Sequence, residues 1–481
     1  MNWKSIKKQY DKQNIGIKVG LWYTFCNVLQ RGVSVITVPV FTRVLTKEQY
    51  GTYSLYLSWL NILSIFTCLN LYYGVFNKAM IKYEDDRDRY ISSMQGLTIS
   101  LCLGCFIVYL FFRESFNSFF GLPTVIMFMM FVEMMVVPSL QFWSGRQRFE
   151  YRYKGLVWVS VIKTILNPAL GIVAVLLTEY KTEARILSAV IIELVICVPL
   201  MVQQFVKGKA FFVKEYWKYS VRFNIPLLPH YLSGSLLNQG DRVVIQKICT
   251  VSDVALYSVA HNVAMLTQLV TNAIAQAVTP WLYGCLKEKN YKDINKRLDF
   301  LMVLVGTGCI LLMLFAPEIV RIFASEEYSS AVYVIPPIAA SVFFIYVYNI
   351  YSNFEFYFEK RLFISIASVL AAVLNVILNV IFVSLFGYVA AGYTTLVCYI
   401  LYAFMHYFFS DNVCVKQLNG IHIFRPRTLI IMTLFMVFAC IIISFLYKFF
   451  AIRYLLIMIS FLFIYMKRKG ILEVIQGVRG K

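Results

Sequence analysis

The run LLNQGDRVVI, Leu236 to Ile245, sets an acid and a base side by side, Asp241 and Arg242, among apolar neighbours. In mid-membrane one such charge costs about 2.5–3.5 kcal/mol on insertion scales, so each needs a partner, a water-filled path or a bound group of opposite sign. The other charges set in apolar stretches are few: the cations Arg31, Lys163 and Arg222, and the acids Glu133, Glu193 and Glu355. The chemistry open to this set is non-covalent. Arg31 and Lys163 either face a cavity between the two halves of the molecule and attract an anionic group, or pair with Glu133 and Glu193 inside one half. His230, Gly234, Asn238 and Asp241 recur at spacings of four, four and three, so they share one helical face. That makes Asp241 a candidate for a cavity wall and His230 a candidate proton relay. Arg242 points about 100° off that face; it either contacts a ligand or snorkels to the membrane interface. The candidate ligand-binding residues are therefore Arg31, Lys163, Arg222, His230, Asn238, Asp241 and Arg242.

Other polar residues carry less. His261 reads as packed or hydrogen-bonded rather than as a proton site. Asn70 and Asn77 on one helix, and Gln268, Asn272 and Gln276 on another, form amide stripes that either line a polar path or bond helices together. Cys102 and Cys105 form a C-x-x-C inside an apolar segment without a basic neighbour, which fits small-residue packing better than redox or metal chemistry. No nucleophile motif, phosphate loop or metal cluster stands out, so an enzyme is not expected and no cofactor is implied. A coupling ion, sodium or proton, stays open.

The elements that must hold these residues are membrane helices. The chain is 60% hydrophobic and 15% charged, whereas a soluble domain runs near 25% charged. Apolar stretches of about 20 residues, enough to cross a ~30 Å hydrocarbon layer, recur from end to end. The pattern predicts fourteen helices, at 17–42, 51–77, 90–112, 121–143, 155–178, 184–206, 219–247, 254–284, 299–322, 331–358, 362–386, 388–410, 427–447 and 452–467. Pro226 and Pro229 are expected to kink the seventh. The basic start leads into the first span without a small-residue cleavage site, so no cleaved signal is expected.

The net charge of +20 sits in loops, which points to the positive-inside rule rather than to nucleic acid. Every second loop is rich in cations: Lys4, Lys7, Lys8 and Lys12 at the start, then Lys78 to Arg89, Arg146 to Lys154, Lys207 to Lys218, Lys287 to Arg297, Lys360 and Arg361, Lys416 to Arg427, and the tail from Lys467 to Lys481. The opposite loops and helix ends carry few, among them Arg43, Arg185, Lys247 and Arg453. Both termini are thus expected in the cytoplasm.

The chain also echoes itself. RVLTKEQYGTYSL from Arg43 matches KICTVSDVALYSV from Lys247 at an offset of 204, which sets Thr46 on Thr250, Tyr53 on Tyr257 and Ser54 on Ser258. At an offset of 212, Val157, Val161, Ile165, Leu166 and Asn167 fall on Val369, Val373, Ile377, Leu378 and Asn379, and Lys163 falls on Asn375. Two parallel six-helix lobes follow: 1–206, a cytoplasmic linker at 207–218, and 219–410. Helices at 427–467 have no counterpart, and 468–481 is a basic tail.

These same segments resemble a known family. The pattern N-x-x-D-R-x-x-I with ALYSVA, the stretch LNVILNVIFVSLFGYVAAGYTTLVCYI from Leu374 to Ile400, and TRVLTKEQYGTYSL are similar to polysaccharide exporters and lipid-linked oligosaccharide flippases of the multidrug/oligosaccharidyl-lipid/polysaccharide exporter superfamily. The resemblance implies an all-α, two-lobed fold and transfer of an undecaprenyl-pyrophosphate-linked oligosaccharide, for O-antigen, capsule or another surface polysaccharide, across the bacterial cytoplasmic membrane. Implied partners are that lipid-linked sugar, membrane lipids and other polysaccharide-assembly proteins. The extra helix pair also occurs in peptidoglycan-precursor flippases, which keeps that substrate open. Rival readings are a drug or cation exporter on the same fold, and a membrane polysaccharide polymerase.

Overall fold

The computed structural model describes residues 15–291 and 294–468. Lys4, Lys7, Lys8, Lys12 and Lys292, and the tail cations Lys469, Arg479 and Lys481, lie outside the described residues. Among the described residues the secondary structure is helical throughout. Eleven helices are long and apolar enough to cross a membrane. All fourteen predicted positions hold helix, but those at 51–77, 219–247 and 452–467 are not single spans of that length and hydropathy.

The chain divides into two compact units between Leu232 and Ser233. In the first, α1 (Ile15–Val44), α2 (Lys47–Cys68), α3 (Gly74–Lys82), α4 (Arg87–Phe111), α5 (Arg113–Phe120), α6 (Thr124–Phe149), α7 (Tyr153–Leu176), α8 (Lys181–Gly208) and α9 (Lys214–Asn224) follow in order. Helix α8 is central, packed on α4, α6 and α7, while α1 packs chiefly on α7. The second unit contains most of α10 (Leu228–Ile248), then α11 (Val251–Ala264), α12 (Leu266–Lys287), α13 (Ile294–Leu314), α14 (Ala316–Phe323), α15 (Ile335–Tyr357), α16 (Arg361–Phe386), α17 (Val389–Gln417), α18 (Pro426–Leu446) and α19 (Phe450–Met466). Helix α15 is its buried axis, touching α11, α12, α13, α17 and α18. The C-terminal pair α18 and α19 packs on α13, and α18 also on α15.

Four expected helices are divided: that at 254–284 at Met265, that at 299–322 at Phe315, and the second and the seventh, these two for local reasons. The second ends at Cys68, where Leu69 and Asn70 take φ of 46° and 48°. The turn swings Leu71, Val75, Phe76, Ala79 and Met80 into a buried cluster with Tyr90, Met94, Phe142 and Tyr216. Asn224 donates to the Leu69 carbonyl at 2.9 Å, satisfying one orphan of the helix end. Asn70 and Asn77 therefore do not share a helix. The seventh breaks at Pro226 and Pro229, which lack backbone donors; a short 3₁₀ turn, Ile225–Leu227, separates α9 from α10. Arg222 consequently lies exposed on α9 rather than opening a span.

The segment 207–218 is tied to α4. The Ser92 hydroxyl donates to the Ala210 carbonyl at 2.7 Å, and the Val213 amide donates to Ser93 at 3.0 Å. A Cβ on Gly96 would meet the Phe211 carbonyl oxygen at 2.0 Å, so only glycine permits this approach.

The matched threonines have one job in both units. Thr46 caps α2 with Gln49, and Thr250 caps α11 with Asp253, each in a reciprocal capping box.

Candidate functional site

The first unit encloses a cavity of about 740 Å³ among α1, α2, α6, α7 and α8. On α1 the lining positions Tyr23, Asn27, Gln30, Ser34 and Thr37 follow helical spacing. Because α1 packs mainly on α7, this face is left to the cavity. From Tyr23 to Thr37 the wall runs about 20 Å at 1.5 Å per residue. Hydroxyls and amides dominate it, with Gln141, Ser144, Ser160 and Thr164 opposite.

Three cations stand along this length. Arg148 is exposed beside the α6–α7 turn. Lys163 lies midway on α7 and reaches the buried Glu193 of α8 at 2.5 Å. Lys163 thus lines this cavity of its own unit and is paired within that unit. Glu133, on α6, accepts instead from the Tyr56 hydroxyl at 2.5 Å. At the other end is Arg185, 5% exposed. Its Nη2 donates to the Tyr53 hydroxyl at 2.9 Å and to Asn167 Oδ1 at 3.0 Å. Its guanidinium packs against the Phe41 and Tyr53 rings, 4.7 and 4.8 Å from their centroids. Among the described residues it forms no ion pair, and its Nε and Nη1 find no acceptor.

In the second unit the repeat-related residues build a different knot. Asp241, 1% exposed, accepts from the Tyr257 hydroxyl, from Asn379 Nδ2 at 2.6 Å and from the Thr395 hydroxyl at 3.0 Å. Asn379 Oδ1 accepts from Thr394, and Asn375, the counterpart of Lys163, donates to Thr395 at 3.1 Å. Farther along, His406 and Glu355 form a fully buried pair at 2.8 Å, with the Ser410 hydroxyl donating to the same carboxylate.

The other predicted residues are scattered. Arg31 is exposed, outside the cavity lining and without an ion pair among the described residues. The polar stripe of α10 divides: Asn238 is exposed and bonds back to the Gly234 carbonyl, His230 is half-buried beside Tyr231, and Asp241 turns inward to α11, α16 and α17. Arg242 is not part of the cavity lining. It is 6% exposed and donates to Ser258, to the Asn238 carbonyl and to Gln239, each at 3.0 Å. His261 sits against the Tyr257 ring. No group of three His, Cys, Asp or Glu side chains is placed to hold a metal among the described residues.

A profile described as "Polysaccharide biosynthesis protein" matches residues 17–284, more than half of the chain. The chain belongs to that family. A second profile, of MatE proteins, matches residues 226–381. A protein of the Lsg locus of Haemophilus influenzae is 22% identical over 356 residues, 70% of this chain and 84% of that one. Among solved structures, a lipid II flippase MurJ in an inward closed conformation aligns with a TM-score of 0.64 and 15% identity, covering 94% of this chain and 99% of the other. A multidrug-resistance MATE transporter aligns at 0.61 and 15%, covering 81% and 95%. This family member has eleven candidate membrane spans among the described residues, and its all-α fold is the expected one, similar to those of the flippase and the MATE protein.

In this member of the polysaccharide biosynthesis family, sequence reasoning missed two groups. Arg185 counts among the helix-end cations because it lies in the first turns of α8, close to the polar residues 178–183. The signal that pointed to it was indirect: both of its polar partners, Tyr53 and Asn167, are repeat-matched positions. His406 was overlooked beside Glu355 because 51 residues separate them.

Proposed function

We propose that the chain is a flippase carrying an undecaprenyl-pyrophosphate-linked oligosaccharide, the repeat unit of a surface polysaccharide such as O-antigen or capsule, across the bacterial cytoplasmic membrane by alternating access. The observation that carries this reading is the cavity of the first unit. A sugar head needs hydroxyl and amide partners, and its diphosphate needs cations. The lining supplies both, and among the described residues Lys163 alone of its three cations forms an ion pair. A cationic drug would meet net repulsion there, which disfavours the exporter reading. Both termini lie in the cytoplasm on the loop-charge argument, so Arg148 stands at the cytoplasmic end, where the lipid-borne diphosphate arrives. Lipids surround the protein, and other polysaccharide-assembly proteins supply and consume its substrate.

The test is transport. Proteoliposomes should move a fluorescent undecaprenyl-pyrophosphate-linked oligosaccharide, and Arg148→Gln should slow this about tenfold while the protein remains folded. Efficient efflux of cationic dyes without movement of the lipid-linked sugar would sink the proposal. The likeness to the lipid II flippase, which covers 94% of this chain, favours peptidoglycan precursor as the second reading; lipid II belongs in the same assay.

A further inference from the structure

The two units use a repeat-matched tyrosine and asparagine in the same way up to one point. In the second unit the Asn379 carbonyl is held by a donor from α17, Thr394, and its amide donates to a carboxylate on α10, Asp241. Tyr257 donates to that same carboxylate. In the first unit the Asn167 carbonyl is held by a donor from α8, Arg185, and the Tyr53 oxygen accepts from the same guanidinium. Each interaction occupies an acceptor site and leaves the donors, N–H of Asn167 and O–H of Tyr53, for another partner. The repeat offset of 204 that pairs Tyr53 with Tyr257 sets Thr37 where Asp241 stands. Thr37, Tyr53 and Asn167 all line the cavity.

We propose that Tyr53 and Asn167, backed by Arg185, form a binding site for the carboxylate of an acidic sugar at the end of the cavity remote from Arg148. The second unit demonstrates that this Tyr–Asn pair holds a carboxylate, there the protein's own. The first unit replaces that acid with a small hydroxyl residue and adds a buried guanidinium that, among the described residues, forms no ion pair within 4 Å. A buried cation is costly without a partner anion, and an incoming carboxylate would supply one. The location separates this site from the lipid diphosphate. Some 20 Å of α1 lies between the Tyr23 end, beside Arg148, and Thr37, so a group reaching Arg185 belongs to the distal part of the oligosaccharide. The inference rests on the proposed transport of a lipid-linked oligosaccharide and narrows it to repeat units bearing a uronic or similar acid.

The test uses the full chain purified in detergent, with a glucuronate-containing tetrasaccharide and its carboxyl-reduced counterpart as probes. The acidic form should bind roughly ten- to a hundredfold more tightly, as hydrogen bonds to a charged group allow. Arg185→Gln and Tyr53→Phe should bring the two forms towards parity. Tyr53→Phe keeps the ring under Arg185 and guards against a folding defect. Thr37→Asp restores the carboxylate of the second unit; it should raise thermal stability and abolish the acidic preference. Equal binding of the two probes by the wild type, or a preference that survives both Tyr53→Phe and Thr37→Asp, overturns the proposal. Sugar-free undecaprenyl pyrophosphate, measured in parallel, should bind Thr37→Asp and wild type alike and lose affinity with Arg148→Gln. If the wild type fails to bind it, the transport reading fails while the carboxylate site stands. If Thr37→Asp weakens it as much as it weakens the acidic probe, the site belongs to the diphosphate and the acidic-sugar assignment falls.

Discussion

Replacing Asp241 tests whether the buried knot of the second unit is a structural keystone. Its carboxylate is 1% exposed and accepts from Tyr257, Asn379 and Thr395. Asp241→Ala strands these donors in a site that water does not reach. The Thr395 hydroxyl can rotate to another acceptor; Tyr257 and Asn379, 0% and 1% exposed, have less freedom. Two stranded donors at roughly 1–3 kcal/mol each give a loss of about 2–6 kcal/mol. Asp241→Asn keeps the shape and one acceptor oxygen but aims an amide at a donor, so about half of that loss is expected. For a unit of this size 1 kcal/mol shifts a midpoint by roughly 2–4 °C; Asp241→Ala should therefore unfold on the order of 10 °C below wild type, with Asp241→Asn between them. Thermal unfolding in detergent, followed by fluorescence-detected size exclusion, measures this. Adding Tyr257→Phe to Asp241→Ala removes one stranded donor and should recover part of the loss. The reasoning is wrong if Asp241→Ala stays within about 1 kcal/mol of wild type, or if Asp241→Asn is the worse of the two.

Lys163→Met should cost about 3 kcal/mol by leaving Glu193 buried without its partner; Lys163→Met with Glu193→Gln should regain most of that stability in the same unfolding assay. A pH dependence is expected at the C-terminal helix pair, where Arg453 of α19 grips Glu318 of α14 through two contacts of 2.5 Å. Burial opposes the charged form of Glu318, but the Arg453 guanidinium, a backbone amide and the Tyr454 hydroxyl outweigh it and hold the carboxyl below its ordinary 4.5. A depressed folded value means that the stabilisation is complete above 4.5 and is lost as pH falls through the lower folded value. The stability gap between wild type and Arg453→Ala should be constant from neutral pH down to about 5 and shrink in stronger acid; a gap indifferent to acid would mean that the pair adds nothing.

Much of this protein is written in one dimension. Hydropathy placed the helices because each must match a bilayer by itself. Thr46 and Thr250 marked two helix starts because a cap is a contact over three residues. Pro226 and Pro229 marked a break because a missing donor acts on its own turn. The self-similarity brought out Tyr53 with Tyr257 and Asn167 with Asn379 before any of them had a partner. What the charges do was legible only in part. Lys163 and Glu193 were both flagged, yet nothing local says whether a lysine lines a cavity or pairs; it does both.

The tertiary structure decided the rest, because charge neutralisation is settled by distance in space. Asp241 looked like part of a stripe with Asn238, three residues away, but its partners lie 16, 138 and 154 residues along the chain. Arg242 could be read as a ligand contact or as an interfacial anchor, and its bonds lie inside its unit. Arg185 looked like a helix-end cation, and its partners are 132 and 18 residues away. Sequence alone determined a membrane-embedded, twofold-repeated set of helices. Folding decided that one repeat-matched Tyr–Asn pair closes on an acid of the protein itself, while the other stands in front of an arginine in a cavity wall. No rule of spacing predicts that difference, since it depends on which side chains the packed helices bring within 3 Å.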